Sequence, residues 1–182
     1  MLRTFGFALA GISLLACSTT NSNSGVSGAD LKCGGGSNAF QTYGAAAFVK
    51  VNEAIFANVG NELNANGSAN QGSSFDEAGT GNVAATKDDL PTFEGKLAAF
   101  LVFAYGGPTS IVYTDGKTYV GNDQNMVTAH TGLNITDDQY NYFVMGVIVP
   151  ALEQSGVPAS DVTACFAPVV TDPSFVDDIV NR

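Results

Sequence analysis

The chain is poor in the residues from which most active sites are built. Its 182 residues include one histidine, His130, and three cysteines, Cys17, Cys33 and Cys165. One imidazole and so few thiols exclude a His-rich zinc centre. There is no Gly-x-Ser-x-Gly elbow to present a serine nucleophile. Phosphate loops of the GxGxxG or GxxxxGKS/T type are missing too, since Gly34-Gly35-Gly36 precedes no lysine or helix of the right kind. Basic residues are scarce, 7 against 17 acidic ones, for a net charge of −10. Such a chain repels phosphate backbones and carries no basic stripe, so nucleic acid is not an expected partner. The apolar run from Phe5 to Ala16 is shorter than the ~20 residues a spanning helix needs.

What is present begins with that run. Met1-Leu2-Arg3 is a short positive start, the apolar stretch follows, and Leu14-Leu15-Ala16-Cys17 closes it. This pattern resembles the signal peptide and lipobox of bacterial lipoproteins. The resemblance implies that residues 1–17 form the signal, with Cys17 lipidated as the first mature residue. Residues 18–39 then read as a flexible tether, because Ser18 to Gly28 is all Ser, Thr, Asn and Gly except for Val26. Ser18 after the cysteine resembles lipoproteins sent to the outer membrane. The expectation is an exported protein that meets the membrane only through its anchor. Loss of Arg3 with the signal leaves 6 basic and 17 acidic residues, a net −11. Cys33 and Cys165 remain. In an oxidising compartment they either close one disulfide or stay as separate thiols, Cys165 then being buried as a small hydrophobe. Spacing alone does not decide between these, because it does not place the α-carbons.

From about residue 40 the apolar pattern turns helical. Phe48, Val51, Ile55, Val59 and Leu63 recur at three- and four-residue spacing. A polar stretch from Ser68 to Asp89 reads as a loop insertion. Asp88, Asp89 and Pro91 mark the next helix start, with Phe93, Leu97, Phe100, Leu101 and Ala104 as its apolar face and Gly106-Gly107-Pro108 as its stop. Ile111-Val112-Tyr113 and Thr118-Tyr119-Val120 around Asp115-Gly116 read as a small β-hairpin. Thr136 and Gln139 form a capping box. Tyr140, Phe143, Val144, Val147, Ile148, Ala151 and Leu152 then keep the helical period, with a kink or break expected at Pro150. Gly156 ends that helix and Pro158 opens the last main one, where Val162, Cys165, Phe166 and Val169 face inward. Phe175 to Val180 is a final short turn. Four main helices with no strand–helix alternation give an all-α fold class.

The setting of His130 carries the functional signal. Met126-Val127-Thr128-Ala129-His130-Thr131-Gly132-Leu133-Asn134-Ile135-Thr136, preceded by Gly106-Gly107-Pro108, resembles the group I truncated haemoglobins. In that family a Gly-Gly-Pro ends the distal helix, and the proximal histidine lies in an M-x-x-x-H-x-G-x-x-I-T context. Gly95-Lys96, Phe100-Leu101, Gly156-Val157-Pro158 and the turn Gly44-Ala45-Ala46-Ala47 match in the same order. The resemblance covers roughly residue 43 to the C-terminus and implies a truncated-globin helical sandwich over residues 40–182. Two loop insertions interrupt it, at residues 68–89 and within 110–125.

The resemblance further implies haem b as cofactor, with His130 as the single axial protein ligand to iron. Phe93, Leu97, Phe100, Leu101, Phe143 and Val144 would supply apolar walls, with Phe56 and Met126 beside them. Lys96 would face a haem propionate or else stand as an ordinary exposed lysine. The family's distal tyrosine and glutamine have no counterpart, because Phe56 falls at the tyrosine position and Phe93 and Leu97 at the distal-helix positions. An apolar distal side implies a haem that is five-coordinate when ferrous and retains oxygen weakly. The functions that follow are reversible binding of a diatomic gas (O2, NO or CO) by a monomer or weak dimer, a haem-free surface interaction module, or a haem carrier. Nitric-oxide dioxygenase-type catalysis stays open, although no partner domain for electron delivery is encoded.

Overall fold

The computed structural model describes residues 25–67, 69–70, 88–123, 125–180 and 182. The signal and lipobox, including Cys17, and most of the polar stretch before Asp88 lie outside those residues. Six helices and one two-stranded sheet make up the described fold, so its class is mainly α.

Helix α1 spans Ala39–Asn66 and starts on a capping box: the Asn38 side chain accepts from the Gln41 N–H at 2.8 Å, and the Gln41 side chain accepts from the Asn38 N–H. Gly44 interrupts it with φ 73°, a conformation open to glycine but costly for a residue with a Cβ. The helix is therefore two arms joined at the expected glycine turn. Phe48, Val51, Ile55 and Val59 of the longer arm are buried, as their spacing predicts.

Helix α2 spans Leu90–Ala104, with Asp89 as N-cap accepting from the Thr92 N–H and Pro91 in its first turn. Its core-facing side differs from the expected one. Gly95, Ala98, Ala99 and Val102 are buried, whereas Phe93, Leu97, Phe100, Leu101 and Ala104 are only half-buried. The reason is the hairpin that follows. Strands β1, Ser110–Val112, and β2, Thr118–Val120, pair antiparallel with Ile111 opposite Tyr119. They lie against α2, with the Tyr119 ring over Gly95 and Gly121 against the Ala99 carbonyl, both too close to admit a Cβ at the glycine. The insertion within 110–125 is thus a packed element rather than a loose loop.

Helix α3, Met126–His130, is one short turn and a half. Helix α4 follows as Asp137–Tyr142, a π-helical turn Phe143–Ile148 and Val149–Gln154. The Thr136–Gln139 capping box opens it, as expected. Helix α5 repeats the pattern: Ala159–Asp161, a π-helical turn Val162–Phe166 and Ala167–Val170. Both π turns stand directly before a proline. A proline has no N–H for the carbonyl four residues back and its ring crowds that carbonyl. The residue before it bonds one position further back instead: Val149 N–H to the Val144 carbonyl, Ala167 N–H to the Val162 carbonyl. The break expected at Pro150 is this widening, and Pro168 produces a second one. A last helix, α6, spans Pro173–Asp177.

Helix α1 packs against both α2 and α4. An aromatic group joins α1, α2 and α5: Tyr105 and Phe166 have ring centroids 5.1 Å apart, and Phe48 lies 5.8 Å and 6.0 Å from those two. The Tyr105 hydroxyl donates to the Phe166 carbonyl at 3.0 Å. A second apolar cluster gathers Ile135, Tyr140, Val144, Ile179 and Val180, with Met126, Leu133 and Phe175 packed against it.

Residues 25–38 correct the expected tether. Cys33 is joined to Cys165 of α5 by a disulfide, with the α-carbons 5.1 Å apart. Gly34 N–H donates to the Asp161 carboxylate at 2.9 Å, and Val26 N–H to that of Asp172 at 3.2 Å. Gly28 sits against Tyr105. This segment is a strap seated on the domain, and the expected tether before Gly25 lies outside the described residues.

Candidate functional site

His130 is the last residue of α3. A five-residue helix has little stability of its own, since isolated helices below ~12 residues are marginal in water, and side-chain ties hold this one. Asn125 caps it, accepting from the Thr128 N–H at 2.9 Å. Met126, at its start, packs into the second apolar cluster.

The imidazole is half-buried, and its Nδ1 lies 2.8 Å from the Met126 carbonyl oxygen. A carbonyl can only accept, so Nδ1 carries the proton and Nε2 carries the lone pair. Burial pushes the imidazole below its ordinary pKa, against the opposing pull of the Met126 carbonyl. At pH 7 the ring is neutral, with its tautomer and orientation set. That is the donor state a metal ligand requires.

The apolar residues assigned to the same site do not form one group. Phe100 of α2 stacks on Phe175 of α6 with centroids 6.4 Å apart. Phe175, Met126 and Val144 belong to one cluster, so α2, α3, α4 and α6 meet there. Phe56 of α1 meets Phe93 of α2 edge to face at 5.5 Å, which brings the two distal aromatics together. Leu97 and Phe143 are half-buried. Leu101 and Val144 instead border a separate cavity of about 80 Å³, lined by α1, α2, α4 and α5. That cavity is far smaller than the ~300–1,000 Å³ typical of small-molecule pockets.

Lys96 is committed elsewhere. Its Nζ binds both carboxylate oxygens of Asp88, at 2.7 Å and 3.0 Å. It would meet a propionate only by sharing or leaving that partner. Among the described residues no three His, Cys, Asp or Glu side chains converge, so the donor set there is one imidazole and not a protein-only metal cage.

Several contacts near the site had no local signal in the sequence. Asn52, fully buried, donates to the Glu94 carbonyl at 3.1 Å and to the Tyr113 hydroxyl at 3.2 Å, tying α1 to α2 and the hairpin one turn before Phe56. Tyr43 donates to Asp161, and burial together with that carboxylate pushes the phenol up to about 12. Arg182 accepts from the turn after His130 through its main-chain oxygen. Each of these links residues far apart in the chain, and only the Tyr and Asn side chains themselves, being polar within apolar runs, hint at a partner.

No family model, curated protein or solved structure matches the chain.

Proposed function

We propose that this chain is a haem-binding, truncated-haemoglobin-like lipoprotein that reversibly binds a diatomic gas at the cell envelope through His130. The observation that carries the proposal is the state of that imidazole. It is neutral, its Nδ1–H is anchored on the Met126 carbonyl at 2.8 Å, and its Nε2 lone pair is available. A neutral imidazole with a fixed tautomer is prepared to give its Nε2 lone pair to a metal.

Two further observations support the reading. The large apolar residues of α2, Phe93, Leu97 and Phe100, are left half-exposed while small residues fill the core face. An apolar wall only half-buried among the described residues suits a flat apolar cofactor. The chain also breaks where the family resemblance requires, at Gly44, at Gly106-Gly107 and at Gly156. A globin-like helical sandwich is the finer fold proposed on these grounds.

The residues fit haem as follows. His130 would hold the iron through Nε2, and Phe93, Leu97, Phe100, Met126 and Phe143 would line the porphyrin and exclude water. Haem, when bound, supplies reversible coordination of O2, NO or CO. Phe56, Phe93 and Leu97 offer no hydrogen-bond donor to a polar gas. A donor of that kind contributes ~1–3 kcal/mol in a dry site, so oxygen should be released about ten times faster or more than from a relative that has one. The lipid anchor follows from Leu14-Leu15-Ala16-Cys17. Gly25, where the described fold begins, lies eight residues beyond Cys17, which keeps the domain within about 29 Å of the anchor.

The test uses residues 17–182 with Cys17→Ser, which include every residue of the described fold. Haemin is added, and reduced and carbonmonoxy spectra are recorded beside His130→Ala. The proposal expects a sharp Soret band that moves with carbon monoxide and collapses in the variant. A broad free-haem spectrum in both proteins would reject it.

A further inference from the structure

We propose that the main-chain oxygen of Arg182 is a positioning group for the His130 imidazole, acting through the turn that follows α3. The inference rests on His130 being the axial ligand proposed above.

The chain leaves α3 through a tight turn. The Thr131 N–H and hydroxyl both donate to the Val127 carbonyl, at 2.9 Å and 2.7 Å, and the Leu133 N–H donates to the His130 carbonyl at 3.1 Å. Gly132 and Asn134 then take left-handed conformations, φ 86° and φ 51°. Asn134 tolerates this better than most residues, and its side-chain amide donates to the Gly132 carbonyl at 3.1 Å. The consequence is that two main-chain N–H groups point the same way. Both reach one atom: Gly132 N–H and Asn134 N–H donate to the Arg182 oxygen at 2.9 Å and 3.1 Å. Converging N–H groups of this kind form a concave site that favours an electron-rich oxygen.

Arg182 is itself held. Its Nε donates to the Asp177 carbonyl at 2.6 Å. Just before it, Ile179 and Val180 are buried in the cluster against which Met126 and Leu133 pack. Residues on both sides of His130 therefore rest on the last residues of the chain. The Met126 carbonyl orients the ring within α3, but a helix this short does not fix its own place in the fold, so a tie outside it holds the His130–Met126 pair in position. Groups that orient a metal ligand without touching the metal commonly change its affinity ~10–100-fold when removed.

The experiment compares three forms of residues 17–182 with Cys17→Ser: the parent, a deletion of residues 181–182, and Arg182→Ala, which keeps the main-chain oxygen. Amide hydrogen exchange at Gly132 and Asn134 is read without haem, and haem loss to excess apomyoglobin is read with it. The deletion is expected to speed both by roughly tenfold or more. Arg182→Ala is expected to stay close to the parent in both. Parent-like amide exchange in the deletion overturns the proposal, and so does faster exchange with unchanged haem loss. An Arg182→Ala protein as impaired as the deletion overturns it as well, by assigning the tie to the guanidinium. A parent that takes up no haem sinks the haem reading and the role at iron with it, while amide exchange still decides whether the tie exists.

Discussion

The two ends of α2 belong to differently built parts of the molecule. At its C-terminal end, Tyr105 lies among Phe48 and Phe166, all three buried, with the Cys33–Cys165 disulfide and the strap 25–38 closing that side. Along its earlier turns, Phe93, Leu97 and Phe100 are half-buried, and Lys96 between them pairs with Asp88. The first part is buried and cross-linked; among the described residues the second is only half-buried. The difference separates what holds the fold from what the proposed cofactor would meet. Fully buried rings stabilise the fold most, whereas half-buried ones, even packed as Phe93 on Phe56 and Phe100 on Phe175, keep exposed surface for the proposed haem.

The largest test of that division is the disulfide. It closes a loop with a sequence separation of 132, for which chain entropy predicts a stabilisation of about 5 kcal/mol. Replacing Cys33 and Cys165 together with alanine should lower stability to denaturant by several kcal/mol. A loss below ~1 kcal/mol would mean that the strap is held by its hydrogen bonds alone.

Phenylalanine truncations come next and test the comparison itself. Phe166→Ala removes a buried ring and should cost ~3–5 kcal/mol of apoprotein stability. Phe100→Ala, at a half-exposed ring, should cost about 1–2 kcal/mol but speed haem loss. If Phe100→Ala proved the more damaging to the apoprotein, the open part would be core after all.

A pH titration gives a smaller effect with a definite sign. His130 has its folded pKa pushed down, so the unfolded chain binds the proton first as pH falls. The His130 contribution is complete above the ordinary histidine pKa near 6.5 and is lost progressively below it. Apoprotein stability should therefore decline from about pH 6.5 downward, and His130→Gln should remove that component. Asp161 works the same way lower down. Its carboxylate is held below the ordinary range by Tyr43 and then by the Gly34 N–H, so its contribution is lost only below about pH 4. A flat profile between neutrality and pH 5 in the parent would contradict the burial of His130.

Smallest of all is the Lys96–Asp88 pair. A partly exposed ion pair of this type contributes ~0–1 kcal/mol, so Asp88→Asn should barely change stability. It would release Lys96 toward a propionate and slow haem loss. Faster haem loss in Asp88→Asn would show that Lys96 has no part in retention.

Much of the fold was legible because helix ends are local events. Asp89 with Pro91, Thr136 with Gln139, and Gly106-Gly107-Pro108 each act within a few residues, and the hairpin is equally local. The burial of α2 was not legible. Hydropathy favours Phe93, Leu97 and Phe100 as the inner face, but the hairpin needs close approach, and Gly95 and Ala99 provide it. The strap was unreadable for a similar reason. Its composition resembles a tether, while its anchors, Cys165, Asp161 and Asp172, lie more than a hundred residues away. At the site, the His130 Nδ1 bond to the Met126 carbonyl is also local, one helical turn back. The Arg182 tie has no such signature, since a main-chain oxygen leaves no mark on the sequence.

The single histidine makes the central claim directly measurable by NMR, because its ring protons give one assignable set of signals. In the reduced carbonmonoxy protein, a His130 ring bound to haem iron lies in the porphyrin ring current. The account predicts that its ring protons move far upfield of their apoprotein positions and that the Nδ1 proton on the Met126 carbonyl stays slow to exchange. Haem uptake with the His130 signals unmoved would place the cofactor elsewhere and contradict the account.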